Sequence, residues 1–153
     1  MRHNDPQILD QICSVLESSN DQTVKAQSLA ELIRCSRGFR WVGIYDAAGD
    51  EIAAIAWTGA DAPAVPRFPV NQGLCGAAVR SGTTIVVGDV TGDPRYLTTF
   101  GSTRSEIIVP ILHPVTRAIL GLIDVESERV NAFTQDDRAL LEKCASSLSR
   151  LWD

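Results

Sequence analysis

Apolar positions in the first forty residues recur at helical spacing. Asp5 and Pro6 read as a helix start, with Pro in the first turn. Ile8, Ile12, Val15 and Leu16 then follow a period near 3.6 until Ser18, Ser19 and Asn20 interrupt it. A second helix is predicted from Asp21, with Leu29, Leu32 and Ile33 on one face and an end around Ser36, Arg37 and Gly38. From Phe39 the texture changes to strands. Trp41–Tyr45 and Ile52–Trp57, joined by a turn over 47–50, predict a hairpin.

Residues 58–69 hold three prolines and read as a loop. Asn71, Gln72 and Gly73 open a short helix, Leu74–Arg80, which Ser81 and Gly82 close. A strand is predicted over Thr83–Val87, a helical turn over Asp93–Tyr96 and a polar loop over Thr98–Thr103. Glu106–Leu112 and Ala118–Glu126 are apolar strands joined through 113–117. Thr134–Asp137 is a capping box, opening a last helix with Leu140, Leu141, Cys144, Leu148 and Leu151 on one stripe.

Helices at both ends of a run of hairpins predict an α+β domain spanning 1–153. Its parts are N-terminal helices (5–37), a central antiparallel sheet with its pocket (39–127) and a C-terminal helix (134–152). The two late strands are apolar on both faces, so both must be covered. Terminal helices take one face, and loops with a short helix roof a pocket on the other, a common place for a small ligand. Net charge is −5, which argues against nucleic acid or an anionic membrane as partner. Four cysteines without close pairing, and an N-terminus without an apolar leader, point to a cytoplasmic protein.

The candidate chemistry lies in the two late strands. If Leu112 stands opposite Ala118, then Glu106 stands opposite Asp124. Asp124 and Glu126, two apart, share its face. Three carboxylates then converge, and like charges across a strand pair repel. Such a cluster is solvated at the strand ends with Arg95 or Arg104 nearby, partly protonated, or completed by a cationic ligand such as an ammonium group. A one-residue slip would remove Glu106 from that face.

Trp41 and Tyr45 share strand parity with Gly43, which would leave open space between two aromatics able to wall a pocket; core packing is the plainer role. Trp57 reads as a core or loop anchor. Cys75 sits at a helix start, where the helix dipole favours thiolate, although a small buried packing residue is equally an ordinary use of Cys. Cys13, Cys35 and Cys144 read as core. His3 and His113 support neither a metal site nor a haem, so no metal and no cofactor are expected.

The ordered words at 73–76 (Gly-Leu-Cys-Gly), 82–87, 93–96, 105–110, 120–127 and 133–137 resemble the GAF family over residues 39–150. That resemblance implies a ligand-binding, dimerising module, here expected without an attached effector. A homodimer through the terminal helices is expected, with Leu148, Leu151 and Trp152 as apolar surface; a separate signalling partner is the other expectation. Within that family the words at 41–45, 73–76, 104–110 and 124–126 resemble the single-domain free methionine-(R)-sulfoxide reductases. The group's catalytic Cys falls at Thr99 and its partner at Val65, leaving Cys75.

The resemblance therefore implies a small-molecule-binding sensory module with no catalytic residue. Its ligand, cationic or zwitterionic, would meet Trp41, Tyr45, Cys75, Glu106, Asp124 and Glu126. Two alternatives stand beside it: a reductase working through Cys75 with an external thiol, and a docking module with a vestigial pocket.

Overall fold

The computed structural model describes residues 5–97 and 100–153. Two helices open the chain, α1 (Asp5–Glu17) and α2 (Gln22–Arg37). The Asp21 carboxylate caps α2 by accepting from the Val24 N–H at 3.0 Å. Gly38 closes it at φ 65°, in the left-handed region that favours glycine, donating its N–H to the Arg34 carbonyl.

Strands β1 (Trp41–Asp46) and β2 (Glu51–Thr58) form the expected hairpin, and β3 (Arg67–Pro69) adds a short edge strand. The pattern reads that stretch as loop, because three residues are too few to show a period of two. Next come α3 (Gly73–Ser81) and β4 (Ile85–Val87). A 3-10 turn then spans Val90–Gly92, and the expected turn over 93–96 follows it, closed by the Tyr96 N–H donating to the Asp93 carbonyl at 3.2 Å. Asp89 fixes it by accepting from the N–H and hydroxyl of Thr91. The Asp93 side chain also accepts from the Arg95 N–H, an Asx turn.

Strands β5 (Ser105–Leu112) and β6 (Ile119–Ser127) precede α4 (Gln135–Leu148), which ends in a 3-10 turn over Ser149–Trp152. The capping box is present. The Thr134 hydroxyl accepts from the Asp137 N–H, and the Asp137 carboxylate accepts from the Thr134 N–H.

All six strands join one antiparallel sheet in the order β3-β2-β1-β6-β5-β4. Alternation sorts their side chains into two layers. Val42, Ile44, Ile107, Val109, Ile123 and Val125 face α1, α2 and α4, where Ile12, Leu29, Ile33, Leu140 and Leu141 are fully buried. The opposite face carries Trp41, Tyr45, Ile108 and Leu122 and is roofed by α3 with Phe68 and Val90.

Among the described residues no strand pairs with the outer edge of β5 beyond Ile108, because β4 pairs only with Glu106–Ile108. Pro110 lies in that unpaired stretch and is buried.

The apolar residues near the chain end do not form a surface. Leu148 and Leu151 are buried in the helix-layer core. Trp152 packs against Gly121, where no side chain fits, and its indole N–H donates to Asp46 Oδ1 at 2.9 Å. Two other assignments change as well: Trp57 is 37% exposed, and Cys35 is exposed while Cys13 is only half-buried. No helix among the described residues is long and apolar enough to cross a membrane.

Candidate functional site

The register of β5 and β6 decides which acidic residues meet. Leu112 pairs with Ile119, one residue beyond the expected Ala118, and a bulge at Leu120 then shifts the ladder by one more. From Ile111↔Gly121 onward Glu106 stands opposite Glu126, and Asp124 stands opposite Ile108. The expected pairing of Glu106 with Asp124 is therefore corrected. Two single offsets sum to an even slip, and an even slip keeps every side chain on its own face. Glu106, Asp124 and Glu126 still converge.

They converge in the interior. Glu106, Asp124 and Glu126 are 4%, 2% and 0% exposed, so strand-end solvation does not describe them. Their carboxylate oxygens come within 4.8 Å of one another. At an effective dielectric near 20, two unit charges so placed repel by roughly 3–4 kcal/mol.

No arginine compensates Glu106 or Asp124 among the described residues, and Arg95 is turned to Asp93 at 2.7 Å. Burial, followed by the charge of Glu126, pushes the Glu106 carboxyl up to about 8. Burial and Glu106 hold Asp124 well above the ordinary carboxylate range. The Thr103 hydroxyl donates to Glu126 Oε1 at 2.9 Å, whereas Asp124 Oδ1 is buried without a hydrogen-bond partner among the described residues. Thr103 escapes sequence reading, since nothing local marks a loop Thr as the partner of an acid 23 residues away.

Strand β1 supplies the adjacent wall. Trp41 pairs with Glu126, Gly43 with Asp124 and Tyr45 with Leu122, so both aromatics lie on the acidic face. They do not leave open space. A Cβ on Gly43 would fall 2.5 Å from Trp41 Cη2 and 2.8 Å from Tyr45 Cε1, because the two rings already cover the glycine. Trp41 donates its indole N–H to the Asp61 carbonyl at 3.0 Å and meets Phe100 edge-on at 5.2 Å between centroids.

Cys75 comes from α3 and is buried. Its thiol is pushed well up, by burial first and then by Asp124, Glu106 and Glu126. The helix-start dipole that would favour thiolate is thus overruled by desolvation and three acids. The Tyr45 hydroxyl is raised for the same reasons.

Tyr45, Val65, Cys75, Leu97, Glu106 and Asp124 surround a space of about 20 Å³, enough for one water. Roomier grooves exist. One of about 380 Å³ lies beside Arg117 and α4, and one of about 450 Å³ lies beside Arg37 and Phe133, where Glu126 reaches the wall. The second groove also holds two buried carboxylates, Glu126 and Asp137, but there Asp137 is paired with Arg37 at 2.6 Å. Thr99, the position that the reductase resemblance gives to a catalytic Cys, lies outside the described residues.

Comparison with known proteins agrees with this architecture. A sequence profile of the GAF domain matches residues 24–151. Protein YtsP of Bacillus subtilis is 28% identical over 144 residues, which is 94% of this chain and 87% of that protein. GAF domain-containing protein A of Dictyostelium discoideum is 27% identical over 147 residues, 95% of this chain and 88% of that one. The X-ray structure of free methionine-R-sulfoxide reductase from Neisseria meningitidis, in complex with its substrate, superposes with a TM-score of 0.85. It is 31% identical, and the match covers 97% of this chain and 87% of that one.

Proposed function

Since the chain belongs to the GAF domain family, we propose that it is a regulatory module that binds a small cationic or zwitterionic metabolite through Glu106, Asp124 and Glu126, with Trp41, Tyr45 and Cys75 around them. The observation that carries this reading is three buried carboxylates in contact range, with Asp124 Oδ1 unsatisfied. A buried acid without a partner is destabilising, and a ligand ammonium would supply both the charge and the donors. The present space of about 20 Å³ is far below an ordinary ligand pocket, so binding displaces wall residues such as Val65 and Leu97. The helices on the opposite face of the same strands are the surface through which a second copy, or a separate signalling protein, would sense occupancy.

A thermal-shift panel of amino acids and amines, including free methionine and its R-sulfoxide, tests the reading. A true ligand at a hundred times its Kd adds about 2.7 kcal/mol of stability. Asp124→Asn abolishes that gain; an undiminished shift in the variant rules out the acidic floor.

A second reading is favoured by one observation, that Cys75 shares its cavity with Glu106 and Asp124. In a reductase of free methionine sulfoxide, Cys75 would take the sulfoxide oxygen to become a sulfenic acid. Two external thiols would then return it to thiol, giving their disulfide and water. Consumption of methionine-R-sulfoxide with dithiothreitol, lost in Cys75→Ser, is the expected result of that reading. The raised thiol pKa weighs against it, because thiolate is the nucleophile.

A further inference from the structure

We infer that the acidic site takes its cation in exchange for protons, so that Glu106 and Asp124 hold at least one proton in the free protein and release it when ligand binds. The inference rests on the proposed binding of a cation and adds the condition under which that binding occurs. Its geometry is the direct opposition of Glu106 and Glu126 across β5 and β6, with Asp124 on the same face and all three buried.

Among the described residues, none that faces Glu106 and Asp124 neutralises them. From β1 comes the Tyr45 hydroxyl and from α3 the Cys75 thiol, both driven further toward neutrality by the acids themselves. The loop before β5 offers the uncharged Thr103 hydroxyl. Guanidinium groups line the neighbouring groove, where Arg129 also lies on the wall that Glu126 reaches. There Arg40 is held by Glu128 at 2.9 Å, and Arg37 is held by Asp5, Asp136 and Asp137.

Like charges on both Glu106 and Asp124, buried and within 4.8 Å of each other, cannot both persist, so a shared proton takes the place of a counter-ion there. A ligand ammonium brings that counter-ion and makes the proton redundant. Affinity for a cation then rises with pH by up to about tenfold per unit for each proton exchanged, and levels off once the cluster has ionised. Raised carboxyls at Glu106 and Asp124 agree with this order of events.

Infrared spectroscopy of the ligand-free protein at pH 7 should show the carbonyl stretch of a buried carboxylic acid, diminished in Glu106→Gln and in Asp124→Asn. Adding free L-methionine-R-sulfoxide, a zwitterion whose ammonium is the probe's cationic group, should bleach that band. Calorimetry in phosphate and in Tris should give heats that differ by the ionisation heat of at least one proton. A ligand-free protein with no such band overturns the inference even if the probe binds, and so does binding with equal heats in the two buffers. A band that persists in protein to which neither the probe nor any panel member binds overturns the binding reading instead, and leaves the proton-holding cluster established.

Discussion

Glu106→Gln should make the free protein more stable at pH 8 than the wild type while weakening its hold on a cationic ligand. The expectation follows from proton linkage. A carboxyl whose native pKa is raised from 4.5 to about 8 binds its proton more tightly when folded than when unfolded. Its contribution to stability is therefore complete below about 4.5, declines as pH rises through the interval and is gone above about 8. One proton corresponds to a slope of roughly 1.4 kcal/mol per pH unit. Asp124, displaced in the same direction, steepens the decline.

Glutamine carries no titrating group, so the variant should show a shallower slope between pH 5 and 8, read from urea midpoints at each pH. Wild type and variant running parallel through that window would show that Glu106 is not the raised group. Opposite signs for stability and affinity would mark residues kept for binding at the expense of the fold.

The second large effect lies on the far side of the sheet. Arg37 is 1% exposed at its side chain and donates two bonds to Asp5 at 2.9 Å and one to Asp137 Oδ1 at 2.6 Å, with Asp136 at 3.1 Å. It ties the end of α2 to the starts of α1 and α4. Arg37→Ala leaves buried aspartates without their cation, and the expected loss is about 3–5 kcal/mol in urea denaturation. A loss under about 1 kcal/mol would place the group among solvated ion pairs, whose contribution is of that size.

Much of the layer arrangement was legible in the chain. The capping box at Thr134 and Asp137 fixed the start of α4, and glycines 38 and 82 marked two helix ends, because these signals are local. The acidic cluster was legible for a subtler reason. Parity along β5 and β6 survives any even error in register, and the actual slip was two. What stayed hidden depends on distant partners. The bulge at Leu120 is a property of the paired ladder, not of either strand. Arg37 meets aspartates at positions 5, 136 and 137, which no periodicity connects. Cys75 keeps its helix-start position yet loses the thiolate character that position suggests, because three acids from other elements surround it. Trp41 and Tyr45 were placed on the right face, but their rings lean together over Gly43, a choice of rotamer that strand parity does not contain.

Pro110 gives the open edge of β5 a colloidal consequence. Beyond Ile108 no strand pairs with that edge among the described residues, and an edge left unpaired is a template for another chain once it is uncovered. A proline is tolerated within a paired strand where its nitrogen points away from the partner, and there it contributes no N–H to an incoming chain. One residue thus interrupts the hydrogen-bond ladder on which edge-to-edge polymerisation depends. The short length of β4 thus leaves an unpaired stretch that is guarded twice, by its burial and by a proline with no N–H to give.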